Sequence, residues 1–117
     1  MKYMLMLIRN DEEWEGMTDA ERDMESIGAF FMNLAAQGKL QGGEQLHSAR
    51  TATTVSWPDR AGEAMVTDGP YLETKETIAG FGIIDVADLD EAIGIARSWP
   101  AHSHKVEVRP VVDMGQH

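Results

Sequence analysis

Tyr3-Met4-Leu5-Met6-Leu7-Ile8 is apolar at odd and even positions alike. Successive side chains of a strand point to opposite faces, so a strand of this kind must be covered on both sides. It reads as the central strand of a sheet. Next along the chain, Thr18 and Glu21 form a capping box, the hydroxyl and the carboxylate each taking one of the N–H groups left open at a helix start. Met24, Ile27, Phe31, Leu34 and Ala35 follow at helical spacing, with Phe30 beside them, and Gly38 stands where a left-handed stop is needed. The spacing predicts a helix from about Thr18 to Gln37.

Leu40 to His47 reads as a second strand, with Gly42-Gly43 marking a bulge or a close backbone approach. Thr51 to Trp57 is rich in β-branched residues and reads as a third. After the turn Pro58-Asp59-Arg60-Ala61-Gly62, Glu63 to Thr67 returns as its hairpin partner, and Asp68-Gly69-Pro70 breaks that strand. From Ile78 to Val86 strict alternation puts Ile78, Ile84 and Val86 on one face and Ala79, Phe81 and Ile83 on the other. Asp88 caps a second helix with Glu91 at its third position; the stripe is Leu89, Ala92, Ile93, Ala96 and Trp99, and Pro100 ends it. Val106, Val108, Pro110 and Val112 alternate with Lys105, Glu107 and Arg109, the pattern of a half-exposed last strand.

The predicted fold is therefore α+β: a ferredoxin-like β-α-β-(β-hairpin)-β-α-β chain. Two helices cover one face of such a sheet. The strands at 3–8 and 78–86 are apolar on both faces, and no helix remains for the second. A second copy of the sheet supplies the cover, so the reading includes a homodimer by sheet-face packing.

With 117 residues the chain forms a single domain, 1–117, long enough to bury a core without a disulfide or a metal. The absence of cysteine excludes disulfides and thiolate chemistry. Ten basic and 20 acidic residues leave a net charge of −10, which repels phosphate backbones and anionic lipid; neither nucleic acid nor membrane is an expected partner. The densest acidic patch, Asp11 to Glu15, reads as a solvated loop. The longest apolar run, Tyr3 to Ile8, falls short of a membrane span. It also falls short of a leader, since Arg9-Asn10-Asp11 follows in place of a small-residue cleavage site. The expected location is cytoplasmic.

The chemistry-bearing stretch is Val66 to Glu76. It sets Asp68, Tyr71, Glu73, Lys75 and Glu76 within nine residues. Asp68 reads either as a turn-former or as a general base or orienting acid, with Lys75 or Glu76 as partner. Glu44, behind Gly42-Gly43, reads either as a pocket acid or as an exposed residue beside a bulge. Arg9 and Arg109 lie at strand ends, where they meet an anionic ligand or pair with the excess acid. His102-x-His104 lacks a third ligand at a telling distance and reads as a solvated loop after Pro100, so no metal is expected. His47 reads as a surface residue and His117 as part of a loose terminus. Trp14, Trp57 and Trp99 are spread apart and offer no stacking platform for bases. No phosphate-binding glycine loop and no nucleophile elbow occur, so no cofactor is expected.

Val66-Thr67-Asp68-Gly69-Pro70-Tyr71 with Glu73-Thr74-Lys75-Glu76 resembles the DGPF-motif branch of the YCII-related family, with Tyr71 in place of the usual Phe. Similar segments are Tyr3 to Met6, Gly42-Gly43-Glu44-Gln45-Leu46, Thr51-Ala52-Thr53-Thr54-Val55, Asp88-Leu89-Asp90-Glu91-Ala92 and Val106-Glu107-Val108-Arg109-Pro110. The resemblance implies a dimeric α+β-barrel of the ferredoxin-like type. It implies little about activity. Relatives of the family have been proposed as enzymes on the strength of a His and an Asp sharing a cleft, but the position matching that His is Ile27 here. Other relatives lie beside or fused to sigma factors, which suggests sensing.

Two functions follow as expectations, beside a purely structural dimer that an absent cleft would support. The first is a dimeric small-molecule-binding or regulatory module. The alternative is a small-molecule enzyme for proton transfer, isomerisation or hydrolysis, with Asp68 and Glu44 as catalytic residues and Tyr71, Lys75, Glu76 and Arg109 holding the ligand.

Overall fold

A computed structural model describes residues 1–70 and 74–114. The chain runs β1 (Lys2–Asn10), α1 (Asp11–Glu15), α2 (Asp19–Arg22), α3 (Met24–Ala36), β2 (Leu40–Gln45), β3 (Thr53–Ser56), β4 (Met65–Asp68), β5 (Glu76–Asp85), α4 (Leu89–Arg97) and β6 (Lys105–Pro110), with a short 3-10 turn at Ala49–Thr51. The main sheet has the order β2-β5-β1-β6, and each neighbouring pair is antiparallel. This is the ferredoxin-like order, with β1 inside the sheet as its two apolar faces require. The inserted β3–β4 hairpin forms a separate two-stranded sheet.

One face of the main sheet is closed by helices. Tyr3, Leu5 and Ile84 are buried there against Leu34 of α3 and Ala92 of α4. Leu5 and Ile84 are almost completely removed from water, each burial stabilising the fold by about 1.5–3 kcal/mol. The other face carries Met4, Met6, Phe81 and Ile83, all half-buried; Met4 stands opposite Ile83 and Met6 opposite Phe81.

The helix termini follow the sequence closely. Thr18 and Glu21 form the capping box, and Asp88 accepts from the Glu91 N–H at the start of α4. At the end of α3 the Gly38 N–H donates to Ala35 O and the Lys39 N–H to Leu34 O, a Schellman stop with Gly38 at φ +72°.

Several expectations need correction. The helix predicted from Thr18 to Gln37 is broken at Asp23, which sits in the left-handed region (φ 46°, ψ 56°) and whose carboxylate accepts from the Ser26 N–H to start α3 afresh. Arg22 explains the break: it folds α2 back onto α1 by donating to Trp14 O and Glu15 O. The acidic patch at 11–15 is a helix, not a loop. Asn10 caps it, its acids lie in the first turn where the helix dipole favours them, and Trp14 is buried beneath it. The third strand begins at Thr53 and the last ends at Pro110, leaving Val112 outside the sheet. Ile78 also changes face. Leu7 pairs with Gly80 but Ile8 pairs with Ile78, so a bulge at Ala79 interrupts the alternation and turns Ile78 away from Ile84.

Candidate functional site

Between α3 and the helix-covered face of the sheet lies a cavity of about 310 Å³. Its walls are Leu7 from β1, Met24, Ile27 and Phe31 from α3, Leu40 from β2 and Trp99 after α4. Glycines shape it. A Cβ on Gly80 would stand 2.8 Å from the Glu44 carbonyl oxygen, and one on Gly43 would stand 2.5 Å from that of Phe81. Side chains there would force β2 and β5 apart. Gly82 lets the Phe31 ring settle on the sheet, its Cε1 3.2 Å from where a Cβ would be. Gly28 on α3 faces open space.

One end of the cavity is polar. Arg9 follows the inward positions Tyr3, Leu5 and Leu7 of β1 and is therefore buried, at 7% exposure. Its Nε donates to Asp11 Oδ1 at 3.1 Å, and its guanidinium lies 4.8 Å from the centre of the Trp14 ring. The other Asp11 oxygen accepts from Ser48 Oγ, the Ala49 N–H and Thr77 Oγ1, at 3.3, 3.0 and 3.2 Å. Burial by itself would raise the Asp11 carboxyl. The Ala49 N–H, the Arg9 pairing and the Thr77 hydroxyl outweigh it and hold the group below the ordinary carboxylate range.

His104 completes this end. Its ring lies between Trp14 and Trp99, with centroids 5.0 and 5.7 Å away. Trp99 Nε1 donates to His104 Nδ1 at 3.2 Å. An indole N–H is a donor only, so Nδ1 is unprotonated and the proton of the neutral imidazole sits on Nε2. Burial, and then the Arg9 cation, push the His104 pKa below its usual 6.5, which favours that neutral form. Nε2 is buried and has no hydrogen-bond partner among the described residues.

A second, more open depression of about 600 Å³ lies beside the hairpin. Asp68 and Lys75 both line it, with Asp11, Arg50 and Thr77. Asp68 is exposed at the end of β4, opposite Thr53. The turn behind it is fixed through Gly69, at φ +95°, whose N–H donates to Ala52 O and whose carbonyl accepts from Thr54 Oγ1. Glu44 does not join them. It borders the cavity under α3, yet its register opposite Phe81 sets its side chain on the face away from the helices. Glu76 is paired with Lys105 at 2.8 Å and Arg109 with Glu107 at 2.7 Å, both on exposed surface. Tyr71, Glu73 and His117 lie outside the described residues.

Asp68 and Lys75 are thus brought together, while Glu44, Glu76 and Arg109 each stand elsewhere. Arg9, expected to meet an anionic ligand or pair with the excess acid, does pair with Asp11 but is buried in the cavity wall, and His104, expected in a solvated loop, is held between two indoles instead. A signal for Arg9 was available, since odd positions of β1 face the helices. None marked His104, whose burial depends on Trp14 and Trp99 meeting from distant parts of the chain. Ile27, standing where the resemblance places a catalytic histidine, is in the cavity wall, and it is apolar. Among the described residues no cluster of three His, Cys, Asp or Glu could hold a metal, and no helix is long and apolar enough to cross a membrane.

The model of the YCII-related domain matches residues 1–115. An uncharacterized protein of Rhizobium meliloti (strain 1021) is 37% identical over 113 residues, which cover 91% of this chain and 89% of that relative. Together with the sheet order and the covered cavity, these matches show that the chain belongs to the YCII-related domain family.

Proposed function

We propose that this YCII-related domain is a small-molecule-binding or regulatory module of the cytoplasm, whose ligand occupies the cavity beneath α3. The carrying observation is the cavity itself: partly open, mostly apolar, with the polar side chains of Arg9 and His104 at one end and Gln45 in its β2 wall. Ligand sites have this composition. A poised base is missing there. Nδ1 of His104 is occupied by Trp99, and the Asp11 carboxylate accepts from four donors. Toluene, as a neutral probe, is expected to shift the backbone amide resonances of Ile27, Phe31 and Trp99 saturably, and a Gly28→Leu chain, with that space filled, is expected to lose the response. Shifts spread over the whole surface, or none, would sink the reading.

Within the family, Asp68-Gly69-Pro70 supports placement in the DGPF-motif branch. The same reading includes a homodimer, supported by the half-exposed Met4, Met6, Phe81 and Ile83 on the face without helices. Sedimentation should give twice the 13.0 kDa chain mass, and Met6→Lys should halve it. A single-chain mass for the unsubstituted protein removes the dimer.

A second reading is an enzyme acting at the open depression. It is favoured by Asp68 and Lys75 sharing that surface with Arg50. Turnover of any substrate that survives both Asp68→Asn and Lys75→Met would eliminate it.

A further inference from the structure

We propose that the cavity selects a small organic carboxylate, with an apolar body against Ile27, Phe31 and Trp99 and its anionic head between Arg9 and His104 Nε2–H. This rests on the reading of the cavity as the ligand site and names the chemistry it takes. The cavity holds an unmet donor. Trp99 fixes the imidazole tautomer, so Nε2 carries a proton, and that N–H is buried without an acceptor among the described residues. A ligand oxygen satisfies it.

The second donor is Arg9. Asp11 takes only its Nε, and among the described residues no acceptor takes the terminal nitrogens. The Arg9 Cζ lies over the Trp14 ring, 4.8 Å from the centre, and the Nε bond to Asp11 holds the group there, which leaves the terminal nitrogens as a fork of the kind that matches a carboxylate. Asp11 in turn divides its charge among Ser48, Ala49 and Thr77 on the far side, so it positions Arg9 without occupying the cavity.

Charge and size narrow the class. One cation, already paired with Asp11, and one neutral N–H suit a monoanion; a phosphate dianion would ask for more positive charge. A cavity of roughly 150 Å³ holds benzene. About 310 Å³ therefore accommodates one ring and a short acidic arm.

The test compares 3-phenylpropanoate, 3-phenylpropanamide and toluene on the full chain by calorimetry and by the His104 Nε2–H proton resonance. The acid is expected to bind at least about tenfold more tightly than the amide, since only the acid makes a charge-assisted pair. It is also expected to move the Nε2–H resonance downfield. Arg9→Met and His104→Phe should each bring the acid down toward the amide. Arg9→Met leaves Asp11 without its cation, so if that variant does not fold, the acid-against-amide ratio on the unsubstituted chain decides alone. Equal affinities, or tighter amide, overturn carboxylate selection while leaving the cavity as a ligand site. If none of the three binds at millimolar concentration, both fall together.

Discussion

The cavity beneath α3 and the depression beside the hairpin share one wall, the Arg9–Asp11 ion pair, and differ in almost everything else. Arg9 lines the first and Asp11 the second. The smaller cavity is half enclosed and mostly apolar, and it holds His104 Nε2 out of water, where an unmet hydrogen bond is costly and a correct partner is strongly preferred. The larger depression presents Asp68 and Lys75 at exposed positions, where solvent and salt weaken each interaction. Asp68, Lys75 and Glu76 of the chemical run therefore mark a surface, while the more apolar environment is assembled from residues far apart in the chain.

The largest expected effect tests that shared wall. Asp11→Ala leaves a guanidinium that is 8% exposed without its anion and removes the acceptor of Ser48, Ala49 and Thr77. Removing one partner of a buried pair costs roughly 3–5 kcal/mol. Asp68→Ala, on the exposed rim of the depression, should stay within about 0.5 kcal/mol. Urea unfolding of the two variants reads the difference directly. Similar losses for both would show that the two regions are not energetically distinct.

Two glycines sharpen the comparison inside the cavity wall. Gly80→Ala sets a methyl against the backbone oxygen of Glu44 at 2.8 Å, and such overpacking costs about 1–3 kcal/mol. Gly28→Ala meets nothing and removes a glycine from a helix interior, so it should stabilise by about 0.5–1 kcal/mol. Opposite signs of the change in urea midpoint are the expected result. Destabilisation by both would mean that the space beside Gly28 is not open.

How far the sequence disclosed this arrangement depended on the range of the interaction. Period-two and period-3.6 patterns reported β1, α3 and α4 because burial repeats along each element, and the caps at Thr18, Asp88 and Gly38 are settled within a few residues. Gly42-Gly43 announced the irregular register between Leu40 and Gly42 for the same reason. The bulge at Ala79 left no such mark, because it is fixed by pairing with Leu7 and Ile8. The break at Asp23 depends on Arg22 reaching Trp14 and Glu15. His104 is an extreme case: it follows Pro100 in a segment with every local sign of a solvated loop, and only the fold brings Trp14 over it.

That histidine gives a pH-dependent effect, and its sign follows from the same burial. In the folded chain its pKa lies below 6.5, first through burial and then through Arg9. On acidification the unfolded chain therefore takes up this proton first, so the contribution to stability is fully present above about pH 6.5 and is lost as pH falls through the folded value. The loss is bounded by one proton, at most about 1.4 kcal/mol per pH unit. Asp11 acts in a separate window: its lowered value keeps its contribution intact above the ordinary 3.8, and it is lost only as pH falls through the folded-state value. Unfolding free energies from pH 8 down to pH 5 should thus fall more steeply for the unsubstituted chain than for His104→Phe. Because Asp11 does not titrate in that range, the difference in slope isolates the imidazole between the two indoles. Parallel slopes would mean that His104 is as solvated in the folded chain as in the unfolded one, and the cavity would lose its neutral donor.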